Sequence, residues 1–413
     1  MHTLFVTPML PVKTDREAGG KHRRAGAFLR ALHSLGSSID MLQFVPEATL
    51  PLGDDPMALD RRQSAFWQVP VHVSLTPRRR RHETAWNHYI AGIFDAAQQP
   101  KLFPYGGPAL AARVAAALDE RAADIVLLDR LDAGLPLLAS RRRPPAVLFD
   151  MDDVYHKVQW RSAFARPGRL GAPLSALQIP ALLFAERRTA NLCARTFVCS
   201  ETDRLHLRRL GFPSSVLFVP NAVRVPPNPP GLVPDRTILY LGSFHHLPNV
   251  LAAERLTTRI FPLVRARVPD ARLLIAGPDS ERLPSHGCQV PGVEHLGFVD
   301  DLPALYGRSR LVCCPITTGS GTRLKLVEAA AHARPMVSTV VGAEGLAFRN
   351  GHEILLRDDD DALAEACVGL LNDDQACLRL GAAGLAMMRE VYDVVAVERQ
   401  IAGIVGDVMA ARA

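Results

Sequence analysis

The sequence predicts an α/β protein of two doubly wound domains, and three observations carry that prediction. Short apolar or β-branched runs alternate with longer helical patterns, the signature of βα units around a parallel sheet. The alternation is interrupted by a proline-rich stretch, RVPPNPPGLVPDR at 224–236. It then restarts, so the same pattern is laid down twice in 413 residues, a length suited to two or three domains.

The runs TLFVTP (3–8), SIDMLQFV (38–45), DIVLLD (124–129), AVLFDM (146–151), RTFVCS (195–200) and VLFVPN (216–221) read as strands of a first sheet. Between the first two, Phe28, Leu29, Leu32 and Leu35 recur at helical spacing and stop at Gly36, a C-terminal cap. Prolines at 226, 227, 229, 230 and 234 rule out a regular helix or central strand there, so 224–236 reads as a linker. The runs TILYLG (237–242), ARLLIAG (271–277), VEHLGFV (293–299), LVCCPI (311–316), PMVSTVVG (335–342) and EILLR (353–357) read as a second sheet. The expected domains are 1–223 and 237–390, with 391–413 as a helical tail. Ligands of such sheets bind at the carboxyl ends of the strands, and with two facing domains the cleft between them is the expected site.

Composition narrows the function. The chain is 48% hydrophobic with a net charge of +6, and only five of its 48 basic residues are Lys. So small a charge, and basic runs at 78–81 and 141–143 without interleaved aromatics, argue against a nucleic-acid module, and the runs read as solvated loops or helix ends, or as a phosphate or membrane-surface contact. Seven cysteines without a CxxC pair sit mostly in apolar runs and read as reduced core residues of a cytosolic protein. No signal peptide and no uninterrupted apolar stretch of membrane-spanning length are expected. The segment LGAPLSALQIPALLFA at 170–185, with two internal prolines, reads as a bent core helix or acceptor-facing segment.

The stretch GSGTRLKLVEAAAHARP at 319–335 carries the chemistry. A glycine-rich turn entering a helix presents unpaired backbone N–H groups and the positive end of the helix dipole, which suit a phosphate. Arg323 and Lys325 in the first turn are unfavourable there unless an anion is bound. Glu328 lies too far along to cap the helix and could accept ribose hydroxyls, with His332 one turn later on the same face. Glycine turns also precede helices for structural reasons alone.

At these residues the sequence resembles the donor-nucleotide motif of retaining glycosyltransferases of family 4, whose two-domain architecture is called GT-B. YLGSFHHLPN (240–249), PDARLLIAGP and HLGFVDDLPALYGRSRLVCCP resemble further segments of that family, and the match over 237–375 is specific. More loosely, VCSETDRLHLRRLG, VPNAV and the pair Gly19 and Gly20 resemble its N-terminal half. The resemblance implies transfer of a sugar, with retention and without a divalent metal or other cofactor, from a UDP- or GDP-linked donor. The C-terminal domain would hold the nucleotide, through Gly242, Ser243, Gly319, Ser320, Gly321, Thr322, Arg323, Lys325 and Glu328. The N-terminal domain would hold a glycan, glycolipid or small-molecule acceptor, through Gly19, Gly20, Asp129, Arg130 and His156. The tail would cross back over the N-terminal domain, and the protein would be cytoplasmic, with peripheral contact at the inner face of the membrane.

Three departures stand out. The first glutamate of the family's pair falls on Ser320, where Ser320, Thr318 or Thr322 would contact the donor sugar. An Arg and a Lys that grip the diphosphate fall on Ser243 and Pro248, so Arg323 and Lys325 would supply that charge and act in catalysis by stabilising the leaving group. In place of the family's catalytic His, the chain has Asp129, Arg130 and Asp132, and the next strand ends in FDMDDVYHKVQW. There Asp150, Asp152, Asp153 and His156 crowd together, with Asp150 and Asp153 the candidate bases. Asp153 also fits a helix cap.

His245 and His246 could touch phosphate or acceptor, or lie in a surface loop. Trp86 and Trp160 could stack on a sugar or lipid acceptor, or belong to the core. Glu344 could lie near the base or cap a turn, and RDDDDALAEA at 357–366 reads as a capped helix start. The same fold also admits an epimerase, a phosphorylase, or a non-catalytic partner that binds nucleotide or glycan.

Overall fold

In the computed structural model the described residues are 1–12, 19–47, 50, 55–78, 108–164, 176, 178–288, 290–319 and 321–412. They form two compact units, residues 1–220 with 397–413, and residues 221–396.

The first unit holds a seven-stranded parallel sheet of β1 (His2–Thr7), β2 (Ser38–Pro46), β3 (Val71–Arg78), β4 (Ile125–Asp129), β5 (Ala146–Asp152), β6 (Arg195–Val198) and β7 (Val216–Phe218), in the order β3-β2-β1-β4-β5-β6-β7. Central strands β4 and β5 are buried along their whole length. That is why they read as unbroken apolar runs rather than as alternation. Edge strand β3 was not among the expected strands. Its buried Val71 and Val73 alternate with exposed His72, and Pro77 is tolerated because the strand lies at an edge.

Among the described residues up to 220, the helices of this unit are α1 (Gly20–Ser34), α2 (Pro56–Trp67), α3 (Pro108–Glu120), α4 (Arg130–Ser140), α5 (Tyr155–Phe164), α6 (Ile179–Leu192) and α7 (Glu201–Arg209). α1 buries Phe28, Leu29 and Leu32 and ends as the spacing predicts, with Gly36 left-handed at φ 80°.

The second unit repeats the plan with β8 (Thr237–Leu241), β9 (Arg272–Ala276), β10 (Val293–Gly297), β11 (Leu311–Cys314), β12 (Met336–Ser338) and β13 (Leu355–Leu356), in the order β10-β9-β8-β11-β12-β13. Around it lie α8 (Leu247–Arg255), α9 (Phe261–Arg267), α10 (Leu302–Gly307), α11 (Leu324–Ala331), α12 (Asp360–Asn372) and α13 (Asp374–Met387). Tyr240, Phe244, Phe261 and Tyr306 are buried in its core, each worth about 2 kcal/mol of transfer free energy. The cysteines are free, and all but Cys288 are buried.

The proline-rich stretch has no regular structure, yet it belongs to the second unit rather than hanging between two. Arg310 donates to the Val233 carbonyl at 3.0 Å, and Arg334 donates to those of Pro230 and Gly231. The last helix, α14 (Val394–Ala410), belongs to the first unit from Val397 onward. There Glu398 pairs with Arg30 at 2.6 Å and Gln400 donates to the Phe218 carbonyl at 2.9 Å. Among the described residues no helix is long and apolar enough to cross a membrane.

Candidate functional site

In the second sheet the winding reverses between β8 and β11, and ligands of such sheets bind outside the carboxyl ends of the strands at this switch. Two of the sequence-predicted stretches leave the sheet there. One runs from Gly242 to α8, the other from Pro315 to α11. Gly319 and Gly321 take φ of 106° and 78°, backbone that a side chain would strain. A Cβ on Gly319 would also stand 3.2 Å from Pro248 of the other stretch.

Neither helix at the switch has a side-chain cap or an acidic residue in its first turn. Elsewhere in the unit α10, α12 and α13 are capped by Asp301, Asp359 and Asp373. The N-terminus of α11 therefore keeps amide donors for solvent or a ligand, whereas in α8 Pro248 has no N–H and that of Asn249 is taken by the His246 carbonyl.

The charge sits beside them. Arg323 is buried and donates to the Gly321 carbonyl, holding the loop closed on itself. Half-buried Lys325 donates to Asn249 Oδ1 at 2.9 Å and to the Tyr240 hydroxyl at 3.2 Å. Burial, helped by neighbouring Arg323, pulls the Lys325 ammonium down to about 8. Thr322 Oγ1 accepts from Asn221 Nδ2 at 2.8 Å.

Gly242 sits in the turn after β8, and Ser243 Oγ lies 2.7 Å from His245 Nδ1. His245 is also 3.4 Å from Asp279, and His246 stands at the cap position of α8. Glu328 is half-buried on α11. His332 is turned into the core, its ring stacked on Tyr306 at 4.4 Å and its Nδ1 2.8 Å from the Glu328 carbonyl. Ser320 and Trp86 lie outside the described residues. Glu344 is half-buried in a turn after β12.

The first sheet has its switch between β1 and β4. Gly19 precedes α1 and Gly20 opens it, with free space where a Cβ on Gly19 would lie. Across the switch Asp129 accepts from Thr7 Oγ1 at 2.6 Å and pairs with Arg130 at 3.1 Å. Arg130 (φ 62°), directly after β4, and Asp152 (φ 53°), at the end of neighbouring β5, take left-handed backbone, which costs energy in residues other than glycine.

The acidic cluster divides into roles. Asp150 is buried against Arg24, whose Nε lies 2.8 and 2.9 Å from its oxygens. Arg24 thus engages both of its oxygens, while burial raises its pKa to about 7 against the pull of that cation. Asp153 is half-buried, and burial together with the Asp152 carboxylate pushes it up to about 6. Asp132 takes a 3.4 Å contact from the Tyr155 hydroxyl.

His156, expected to face an acceptor, is instead 5% exposed. Its Nδ1 lies 2.5 Å from Glu186 and its Nε2 2.9 Å from His206. Trp160, by contrast, is 58% exposed on α5. Among the described residues no cluster of three His, Cys, Asp or Glu side chains is arranged to hold a metal ion.

Part of the chain matches a known family, and the whole of it resembles solved structures. Residues 235–373 match the family described as glycosyl transferases group 1. Among solved structures, sucrose-phosphate synthase from Thermosynechococcus elongatus superposes with a TM-score of 0.65 at 17% identity, covering 100% of both chains. TarM superposes with a TM-score of 0.68 at 10% identity, covering 98% of both. The fold is GT-B.

HepE from Anabaena, solved with UDP-glucose, shares this GT-B architecture with a TM-score of 0.61 at 13% identity, over 98% of this chain and 99% of that one. By sequence, 173 residues are 31% identical to the phosphatidyl-myo-inositol mannosyltransferase of Mycolicibacterium smegmatis, 40% of this chain and 44% of that one. Another 21% identity over 165 residues links 38% of the chain to an uncharacterized 44.6 kDa protein in the cps region of Klebsiella pneumoniae, 42% of its length. The chain thus spans less than half the length of the curated relatives it matches.

Four residues that hold the GT-B switch points together were not singled out in the sequence. Asn249 and Asn221 tie down the second switch, while Arg24 and Glu186 hold Asp150 and His156. Asn249 and Asn221 left a signal, standing in YLGSFHHLPN and VPNAV, two stretches that carry the resemblance, while Arg24 and Glu186 left none.

Proposed function

We propose that the chain is a retaining glycosyltransferase that moves a sugar from a UDP- or GDP-linked donor to a hydroxyl of a glycan, glycolipid or small molecule, without a divalent metal. One observation carries the reading. At the β8/β11 switch two helix N-termini without side-chain caps meet two glycine turns, Arg323 and Lys325. A nucleoside diphosphate is the ligand that such donors and charge fit.

In this reading Gly242, Ser243, Gly319, Ser320, Gly321 and Thr322 line the diphosphate and donor sugar, and Glu328 accepts the ribose hydroxyls. Negative charge grows on the diphosphate as the glycosidic bond breaks, and Arg323 and Lys325 stabilise it there more than in the ground state. The first unit supplies the acceptor side through Gly19, Gly20, Asp129 and Arg130. Asp153 serves as the base, because its raised pKa and partial exposure suit proton transfer near neutral pH. Asp150 positions Arg24. The family match and the UDP-glucose complex of a protein with the same fold support this reading.

The test is the thermal stability of the purified protein with UDP, GDP, ADP, dTDP and CDP, with and without magnesium, for wild type, Lys325→Ala and Glu328→Ala. A bound diphosphate stabilises by about 2.7 kcal/mol at a hundred times Kd. The expected result is a metal-independent shift with UDP or GDP that weakens in both variants. No shift with any nucleotide would move the reading to a non-catalytic glycan-binding partner. Anomeric configuration is then read by NMR of the product.

A further inference from the structure

Lys325 is the only lysine in residues 221–396, and among the described residues no carboxylate stands within ion-pair distance of it. Its ammonium lies 4.3 Å above the Tyr240 ring centroid, donates to the Tyr240 hydroxyl at 3.2 Å, and donates to Asn249 Oδ1 at 2.9 Å. An ammonium has three donors and no acceptor. Two donors are engaged and the third is left for a ligand.

The Asn249 amide has its orientation fixed by this contact. Only its oxygen can face an ammonium, so Nδ2 faces the other way, where it donates to the Ser243 carbonyl at 3.0 Å. Asn249 also packs against the turn itself, since a Cβ on Gly242 would fall 3.1 Å from Asn249 Cβ. Its own carbonyl accepts from the Tyr240 hydroxyl at 3.2 Å, and its N–H reaches the His246 carbonyl at 2.9 Å. One neutral side chain thus spans the turn after β8 and the cation at the start of α11.

We infer that Asn249 is a positioning residue that locks the Lys325 ammonium to the Gly242–Ser243 turn, so that cation and turn form one rigid corner for a diphosphate. The inference rests on the donor reading above and deepens it. The cation missing from the β8 stretch at Ser243 and Pro248 is supplied from α11, and Asn249 fixes where it stands.

The experiment has two readouts on wild type, Asn249→Ala, Asn249→Asp, Lys325→Met and the double variant Asn249→Ala/Lys325→Met. The first is calorimetric titration with UDP, GDP and inorganic pyrophosphate at pH 7. Asn249→Ala is expected to weaken the binding anion about tenfold. Adding it to Lys325→Met is expected to weaken binding no further, because the two act as one unit.

The second readout is the pH dependence of acetic anhydride labelling of Lys325, followed by peptide mass. Its midpoint near 8 in the wild type is expected to rise in Asn249→Asp, where a carboxylate replaces the amide. A labelling midpoint unmoved in Asn249→Asp overturns the inference. So do Asn249→Ala affinities within about twofold of wild type, or effects that multiply in the double variant. Circular dichroism of Asn249→Asp separates misfolding from either result. Binding of pyrophosphate but of neither UDP nor GDP would sink the donor reading while leaving the positioning role standing. Binding of none of the three would sink both.

Discussion

Arg24 and Asp150, 126 residues apart in sequence, form a buried ion pair in which Nε and Nη2 reach the carboxylate at 2.7–2.9 Å. Arg24 Nη1 also donates to the Val219 carbonyl at 2.7 Å. The guanidinium thereby joins α1, the end of β5 and the segment after β7. Breaking one partner of a buried pair leaves an uncompensated charge, whereas removing both leaves only Asp152, 3.7 Å from Arg24 Nε, without its cation. Arg24→Met is expected to lower unfolding free energy by about 3 kcal/mol in urea titrations. Arg24→Met/Asp150→Leu is expected to recover part of that loss. A single variant as stable as wild type would show that the pair does not hold these elements.

Asp153 gives a prediction of opposite sign for stability. Burial and Asp152 raise its folded pKa from 3.8 to about 6. Between those values the folded state holds the proton longer than the unfolded state, so wild-type stability falls as pH rises through that window. Asp153→Asn removes this dependence and is expected to be more stable than wild type at pH 7.5 by about 3 kcal/mol, with no difference below pH 3.8. If Asp153 is the base, the same variant loses transfer activity about 100-fold while UDP or GDP binding persists. A variant that keeps full kcat would remove Asp153 from the chemistry.

Gly277 is the backbone position on which the turn after β8 depends. A Cβ there would lie 1.7 Å from the Gly242 carbonyl oxygen, and its φ of 138° suits only glycine. Gly277→Ala must displace the Gly242 turn and is expected to cost about 3 kcal/mol or more. Gly297→Ala, at φ 65° with nothing within 4 Å, is expected to cost about 1 kcal/mol. Melting temperatures of the two variants check the contrast, and equal losses would contradict it.

The sequence made the sheets legible because parallel strands buried on both faces leave apolar runs such as TILYL and LVCC. Edge strand β3 escaped because its signal is the weaker alternation of Val71, Val73 and Leu75 interrupted at Pro77. At the candidate site the glycines and cations could be read, since a turn entering a helix is a local pattern. What orients them could not. Lys325 meets Asn249 across 76 residues, and His156 meets Glu186 across 30. His156 looked like a cleft residue in the acidic stretch, but its position on α5 turns the ring inward to a buried carboxylate on α6.

That inward arrangement is expected to make His206 a source of acid sensitivity. His156 and His206 stack at 5.1 Å with their Nε2 atoms 2.9 Å apart. Glu186 accepts the Tyr155 N–H at 2.6 Å and faces His156 Nδ1. With the His156 proton on Nδ1, its Nε2 accepts from His206, so the pair has room for one proton between the rings. A further proton would set N–H against N–H. Burial, His156, Lys157 and Arg161 all lower the His206 pKa, against Asp203, which raises it. The unfolded chain therefore takes the proton first, and stability present above 6.5 is lost as pH falls through and below that value. His206→Gln can still donate to His156 but cannot titrate. Between pH 7.5 and 5.5 its melting temperature is expected to fall by about 2 °C less than that of wild type. Parallel curves for the two proteins would place the acid sensitivity elsewhere.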